Sequence, residues 1–481
     1  MNWPVAFLVL MPAVLGLVAL AFKNLRIGLG ILLFAAVLHL AATASLWSGA
    51  PLKGFGPLLQ LDVVGLIFLS TTSVLFLLVA VYTVPYILQG THDKQAAPHR
   101  FVPCLLWFLA AMTLVSVTQN LALMWAAVEG TTLASAPLVY FYRRRGALEA
   151  AWKYLLLCSV GIALALLGTF CLGVAAAGVS GSGGGLTLEA LRNAAPSMAR
   201  PWLKTAFVLA LVGYGTKMGL VPLHTWLPDT HSQAPSPVSA LLSGALLNCA
   251  FLAILRFFQV CLASGDAAFA RTLLVVLGFV SIAVACAFMV GQRDYKRLLA
   301  YSSIENMGIM AAGVGLGGAA TYGAIFHSVN HSLCKAGLFL LAGNVLRAFG
   351  TTSAREVRGV LARLPVTGVL MTALFLAIGG LPPFGPFWSE FLIFQVALKG
   401  PEAWLGVLFV SLLAVAFLGM AGVLLPMLQG APGEGATRVR EPKLSVLAPL
   451  VLALGALAVG VFLPPMLADA LHRAAGVLGG L

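Results

Sequence analysis

Apolar residues run along this chain in long blocks separated by short polar stretches. Each block is close to the ~20 residues that a helix needs to cross a bilayer. Fourteen such spans are expected, at about 3–22, 27–47, 61–89, 101–118, 121–141, 153–178, 203–222, 237–260, 272–290, 298–316, 321–346, 365–398, 403–428 and 444–466. Inside lipid, a segment must satisfy its own backbone polar groups, which favours helices. The expected fold is therefore an all-α polytopic membrane protein. The seventh and twelfth spans carry clusters of Gly and Pro and are expected to be broken helices. The longest polar connection, about 180–201, is Gly/Ser-rich from Ser180 to Gly185 and reads as an exposed loop.

Composition agrees with this reading. Of 481 residues, 60% are hydrophobic and 9% charged, against roughly 25% charged in soluble domains. The net charge of +13 does not call for a nucleic-acid partner, because basic residues flanking membrane spans are a topogenic signal. The odd-numbered connections hold 18 Lys and Arg, and the even-numbered ones with the C-terminal tail hold seven. Three more, Lys217, Arg256 and Lys335, lie within spans. This bias places both termini outside the cytoplasm. The N-terminus has no basic region of the signal-peptide kind, and its apolar run is expected to begin the first span. None of the seven cysteines forms a CxxC, so neither an iron–sulfur cluster nor a structural zinc is expected.

A repeat runs at an offset of 176 residues. Trp125-Ala-Ala-Val-Glu129 lies over Tyr301-Ser-Ser-Ile-Glu305, Leu157-Cys158 over Leu333-Cys334, and Gly161 over Gly337. Span 5 then corresponds to span 10 and span 6 to span 11. Five spans per unit is an odd number, so the second copy is expected to be inverted. Inverted repeats with broken helices mark many transporters; the alternative is chance matching of common apolar residues. The expected division is 1–100 as an N-terminal three-helix segment and 101–260 as the first repeat, spans 4–8. Residues 261–430 form the second, inverted repeat, spans 9–13, and 431–481 carry span 14.

Seven ionisable residues sit inside these apolar runs: Glu129, Lys217, Glu305, His327, His331, Lys335 and Glu390. A charge at the bilayer centre costs at least ~3 kcal/mol, and such groups are functional candidates by default. Together they suggest a path for protons or ions. Lys217 is the natural partner of Glu129: at ~4 Å and an effective dielectric of ~20 such a pair attracts by about 4 kcal/mol. A pair that opens and closes would change the proton affinity of its members; a static structural ion pair is the alternative. Lys217 precedes Gly219, Pro222 and His224, so a hydrated pocket is expected where the helix breaks. His224 is placed to pass protons from the cytoplasmic side, or to serve as an interfacial structural histidine.

His327, His331 and Lys335 stand at i, i+4 and i+8, along one helical face with about 6 Å between neighbours. Proton relay suits a residue that titrates near pH 6.5; polar packing and a metal site are the alternatives, and no HExxH glutamate or cysteine pair supports a metal. Glu390 follows a Gly/Pro-rich turn, Gly379 to Pro386, and reads as the outer end of a path or as a helix-capping acid. Arg256 is expected to snorkel near a span end. Gly313-Val-Gly-Leu-Gly-Gly318 fits GxGxxG but joins two spans with no preceding strand, so a tight inter-helix turn is expected and no dinucleotide. No cofactor site, nucleophile triad or redox centre is legible.

These residues carry a family resemblance. Glu129, Lys217 ahead of Pro222-Leu-His224-Thr-Trp-Leu-Pro-Asp229, Asp294-Tyr-Lys-Arg-Leu-Leu-Ala-Tyr301, His327 to Lys335, and Gly380-Leu-Pro-Pro-Phe384 resemble the antiporter-like proton-translocating membrane subunits. That family serves respiratory complex I, Mrp cation/proton antiporters and membrane-bound hydrogenases. The segments around Glu129 and Glu305 resemble most its hydrogenase-4 component F branch. The resemblance covers roughly 60–430. It implies that Glu129 and Lys217 form an input pair, that His327, His331 and Lys335 form a central relay, and that Glu390 is the exit group. It also implies partners: other membrane subunits and a peripheral redox arm of the nickel–iron hydrogenase or dehydrogenase kind, in a bacterial plasma membrane. Two departures stand out. Where the family often has Lys or His on span 8, this chain offers Asn248, with Ser243 nearby, and Glu305 is additional to the complex I pattern. A Na⁺-exchanging Mrp-type subunit, or the membrane part of an inorganic-carbon uptake system, are the alternatives.

Overall fold

The structure is a computed structural model that describes residues 3–48, 58–89, 98–177, 179, 185–431 and 437–480. The Ser180-to-Gly184 part of the expected loop lies outside the described residues. The described chain is helical almost throughout. It begins with α1 (Trp3–Ala21), α2 (Leu25–Ser45) and α3 (Val63–Leu88), followed by α4 (Pro98–Val117), α5 (Leu121–Val139) and α6 (Arg145–Ala177). A short α7 (Leu188–Ala194) leads to α8 (Arg200–Met218), α9 (Trp226–Gln233) and α10 (Ser236–Leu241); α10 continues through a π-turn, Leu242–Leu246, into α11 (Leu247–Ser264). Then come α12 (Ala267–Met289), α13 (Tyr295–Leu316), α14 (Ala319–Phe349), α15 (Val360–Arg363), α16 (Pro365–Ile378) and α17 (Gly385–Lys399). The chain closes with α18 (Trp404–Gln429), α19 (Lys443–Val461) and α20 (Pro465–Val477).

Eleven of the described helices are long and apolar enough to cross a membrane. Three other regions lie between them: α8 with Lys204 and Lys217, α13 with Lys296, Arg297 and Glu305, and the split pair α16–α17. Polar caps start several helices. The side chains of Asp62, Asn120 and Asp294 accept from the amides of Gly65, Leu123 and Arg297 at 2.8, 3.0 and 2.9 Å, satisfying groups that a helix N-terminus leaves orphaned. The stretch from α10 through Cys261 of α11 is buried throughout, whereas α1, α2, α18 and α19 turn large apolar side chains outward. The core lies around α11, α13 and α14, and α14 alone carries seven buried polar residues.

Both expected breaks are present. α8 ends on Gly219, whose φ of 87° is left-handed, a conformation glycine adopts without steric cost. The loosened backbone is satisfied from outside the helix: the indole of Trp226 donates to Thr216 O at 2.9 Å, and Ser281 Oγ accepts from Val221 N at 3.0 Å. Irregular backbone at membrane depth requires such partners. The second break lies between Ile378 and Gly385 and pivots on Gly380, with φ 71°. Gly219 and Gly380 each stand three residues before a proline, Pro222 and Pro383.

A second correspondence links the two halves. Around Asn120, the cap of α5, Leu121 N donates to Leu186 O at 2.9 Å and Leu188 N to Gln119 O at 2.8 Å. Around Asp294, the cap of α13, Tyr295 N donates to Thr352 O at 3.1 Å and Ala354 N to Arg293 O at 2.7 Å. In each half the cap of the Glu-bearing helix pairs, antiparallel, with the connection that leads to the broken helix.

Three sequence expectations need correction. Part of the 180–201 connection is helical: α7 buries Leu188, Leu191 and Ala194. Arg256 does not snorkel; it is fully buried, and its Nη1 and Nη2 donate to Asp62 Oδ2 and Oδ1 at 2.5 and 2.7 Å. α20, absent from the sequence reading, packs on α14 and α3.

Candidate functional site

The sequence-predicted site residues, His224 apart, fall into two clusters with a seam between them. The first joins α5, α6 and α8. Lys217 is fully buried in the last turn of α8. Its ammonium donates to Thr132 Oγ1 at 2.7 Å and to Tyr154 Oη at 2.7 Å, and lies 4.5 Å from the centre of the Tyr154 ring. Glu129 is half-buried, one helical turn before Thr132 on α5. Its Oε2 accepts from Thr132 Oγ1 at 3.3 Å and its Oε1 from Ser159 Oγ on α6 at 3.2 Å. The expected direct Glu129–Lys217 ion pair is not formed among the described residues; the Thr132 hydroxyl stands between the two charges. Tyr154 in turn meets Ser135 Oγ at 2.7 Å and packs its ring against Trp226 at 4.9 Å.

At the end of α8 where the chain breaks, α9 carries a charged hub. Asp229 pairs with Lys153 of α6 and Arg297 of α13, each at 3.1 Å. The exposed Glu149 also holds Lys153, at 2.6 Å. His224 is buried in the turn between α8 and α9, and no hydrogen bond joins it to Lys217 among the described residues. Lys296, buried at the start of α13, donates to Ala234 O at 2.6 Å.

The seam lies where α10 and α11 meet α13 and α14. Ser243, in the π-turn, shares a hydrogen bond of 2.8 Å with Ser303 of α13. Asn248 donates from Nδ2 to Ser332 Oγ on α14 at 2.7 Å and to Gly244 O at 3.2 Å. Asn248 thus touches α14 beside His331. His331 and Lys335 are fully buried, and Lys335 Nζ donates to Leu299 O at 3.0 Å.

The second cluster joins α13, α14 and α17. Glu305 Oε2 accepts from Ser302 Oγ at 3.2 Å and from Asn306 Nδ2 at 3.4 Å. No ion pair joins Glu305 to Lys335 among the described residues, and the Lys335 ammonium is held by Leu299 O. Asn306 Nδ2 also donates to Ser302 O at 2.6 Å, which orients its Oδ1 toward His327 Nε2 at 2.9 Å. The opposite ring nitrogen, Nδ1, meets Ser389 Oγ at 2.8 Å. Ser389 precedes Glu390, whose carboxylate packs over Gly380 at the break, and Asn330 packs its amide over Gly385. Hydrogen bonds therefore run from Glu305 through Asn306 and His327 to Ser389, next to Glu390.

The sequence-predicted site residues other than His224 sit in or beside these groups. Lys217 and Glu129 belong to the first, Asn248, His331 and Lys335 to the seam, and Glu305, His327 and Glu390 to the second; His224 stands apart. The sequence reading did not single out Thr132, Tyr154, Ser159, Asn306 or Ser389 as site residues. Only Thr132 left a usable signal, its i+3 spacing from Glu129 on one helical face. No group of three or more His, Cys, Asp or Glu able to hold a metal is present among the described residues.

Residues 118–416 match the family model described as "NADH:quinone oxidoreductase/Mrp antiporter, TM". The chain therefore belongs to the antiporter-like membrane-subunit family shared by complex I and Mrp antiporters. It is 35% identical over 426 residues to a "Hydrogenase-4 component F homolog" of Methylacidiphilum infernorum, covering 86% of this chain and 87% of that one. It is similar to a chain in the structure of respiratory complex I from Thermus thermophilus with bound Aureothin, with TM-score 0.78 and 28% identity over 97% of this chain and 99% of the other. It shares its fold with a chain of the membrane-bound sulfane sulfur reductase, an archaeal respiratory membrane complex, with TM-score 0.88 and 21% identity over 99% and 98% of the two chains.

Proposed function

We propose that this chain is the proton-translocating membrane subunit of a hydrogenase-4-like or complex-I-like redox complex. The observation that carries this reading is Lys217: a fully buried ammonium held by two hydroxyls and joined to Glu129 through one of them. A buried charge is costly, and a membrane interior that keeps one is a functional candidate. Glu129 and Lys217 serve as the input pair, with His224 toward the cytoplasm. Asn248 stands at the step across the seam, where an amide holds no extra proton and water is needed to carry it, and Glu305, His327, His331 and Lys335 form the central relay. Glu390 is the exit group. The chain carries no redox centre in this reading and takes its energy from electron transfer in partner subunits: other membrane subunits and a peripheral nickel–iron hydrogenase-like or dehydrogenase arm.

The architecture is two inverted five-span repeats within fourteen spans, counting α8–α9, α13 and α16–α17 with the eleven longer helices. The paired backbone bridges at Asn120 and Asp294, and the equivalent breaks at Gly219 and Gly380, support this division. The skew of Lys and Arg among the connections supports an orientation with both termini outside the cytoplasm. The relative at 35% identity, matched along most of both chains, supports the hydrogenase-4-like assignment.

The test is a Lys335→Ala variant of the whole complex in inverted membrane vesicles, with electron transfer and acidification read together. The reading expects electron transfer to continue while acidification falls by roughly ten-fold or more, the size of effect expected for a positioned proton-transfer group. Unchanged acidification contradicts it. Acidification that requires Na⁺ and persists without any redox partner transfers the chain to a Mrp-type antiporter.

A further inference from the structure

Two hydroxyls touch the Lys217 ammonium, and they lead to different places. Tyr154 Oη meets Ser135 Oγ at 2.7 Å. The hydroxyl proton of Ser135 is taken by backbone, at Thr131 O, 2.6 Å, or Thr132 O, 3.3 Å. The Tyr154 proton therefore points to Ser135, and that branch ends on carbonyl oxygens, which do not take up a proton. Thr132 Oγ1 accepts from Lys217 at 2.7 Å and has a carboxylate oxygen, Glu129 Oε2, at 3.3 Å. A hydroxyl has one proton to donate and two lone pairs to accept. With Lys217 donating to it, the Thr132 proton is directed at Glu129. Thr132 lies at i+3 from Glu129, so α5 itself sets both groups on one face.

Resting on the proton-translocation reading above, we propose that the Thr132 hydroxyl is the group that positions Lys217 and Glu129 and passes the proton between them. In the forward step an N–H bond of the Lys217 ammonium breaks and its proton goes to Thr132 Oγ1. At the same time the original Oγ1–H proton moves to Glu129 Oε2. The products are a neutral amine and a neutral carboxylic acid, with the hydroxyl restored, so the step removes two opposite charges from the membrane interior. The reverse step restores the pair. The hydroxyl also keeps the charges from closing into a direct ion pair, whose attraction would hold Lys217 protonated.

Two substitutions separate this role from packing. Thr132→Val removes the hydroxyl and keeps the shape; Thr132→Ser keeps the hydroxyl and removes a methyl. In the assembled complex in inverted vesicles, Thr132→Val is expected to lower proton translocation per electron by roughly ten-fold or more, and Thr132→Ser to stay within about two-fold of the parent. Electron transfer continues in both. Tyr154→Phe, which removes the other hydroxyl, is expected to lose less than Thr132→Val. Equal loss in the two Thr132 variants, the reverse ranking, or full translocation by Thr132→Val overturns the assignment. Lys217→Ala measured alongside separates the two levels: loss there with a fully active Thr132→Val removes only the role of the hydroxyl. Full translocation by Lys217→Ala removes the proton-translocation reading itself.

Discussion

His327 and Ser389 meet across α14 and α17 at 2.8 Å, and the serine has one proton for two acceptors. Its hydroxyl also lies 2.8 Å from Pro386 O, in the first turn of α17. Asn306 Oδ1 accepts from His327 Nε2, since the amide nitrogen of Asn306 is occupied by Ser302 O. When the ring is neutral, Nδ1 is an acceptor and takes the Ser389 proton; when the ring is charged, Nδ1 donates and the Ser389 proton turns to Pro386 O. The charge on His327 is thus read out at the start of the helix that carries Glu390. Replacing Ser389 with Ala should slow proton translocation by a few-fold, and His327→Ala by roughly ten-fold or more. Acidification of vesicles at matched electron-transfer rate measures both, and equal activity in the two variants would refute the arrangement.

The break in span 12 sets a second expectation. A methyl at Gly380 would fall on the Glu390 carboxylate, and Gly380 also has a left-handed φ of 71°. A methyl at Gly385 would fall on Asn330 Oδ1. Alanine at either position must move a polar group that lines the second cluster, at a cost of about 1–3 kcal/mol for overpacking. Gly380→Ala, which also strains the backbone, should cost more stability and more translocation than Gly385→Ala. Thermal unfolding of the purified complex, read beside acidification, gives the ranking.

Asp62 and Arg256 tie the N-terminal helices to α11. The guanidinium is fully buried and held by both carboxylate oxygens. Removing one partner leaves a buried charge uncompensated, which typically costs about 3–5 kcal/mol. Asp62→Asn should therefore lower the melting temperature of the solubilised protein without acting on the polar clusters. The pH dependence has a definite sign. Burial works to raise the Asp62 carboxyl, but the Arg256 charge, its hydrogen bonds and the Gly65 amide hold it below the usual carboxylate range. A depressed carboxyl contributes fully above its unfolded value, about 3.9, and loses that contribution as pH falls through its lower folded value. The stability difference between the parent and Asp62→Asn should be constant near neutrality and shrink only in strong acid.

The charged site residues were legible because each stands alone in an apolar run, where a charge has no ordinary reason to be. Glu129, Lys217, Glu305, Lys335 and Glu390 all come out that way, and the Gly/Pro clusters at 219–222 and 379–386 mark the breaks. The connecting groups were not legible. Thr132, Tyr154, Asn306 and Ser389 are hydroxyls and amides of kinds common in membrane helices, and what they touch is set by helices far apart in sequence; Lys217 reaches Thr132 across 85 positions. The carboxylate that buries Arg256 is hidden from the sequence for the same reason, since it lies 194 residues away. α7 and α20 are too short to form a span-length apolar window, so a hydropathy reading passes over them. Seeing only two opposite charges, it brought Glu129 and Lys217 into direct contact; packing put a hydroxyl between them.

In the proposed function Lys217 handles a proton during turnover. The direct measurement is the number of protons moved per electron by the Lys217→Ala complex in sealed inverted vesicles, beside the parent. A strong loss of protons per electron is expected, with electron transfer retained and the subunit still assembled. Parent-level proton translocation by Lys217→Ala would contradict it.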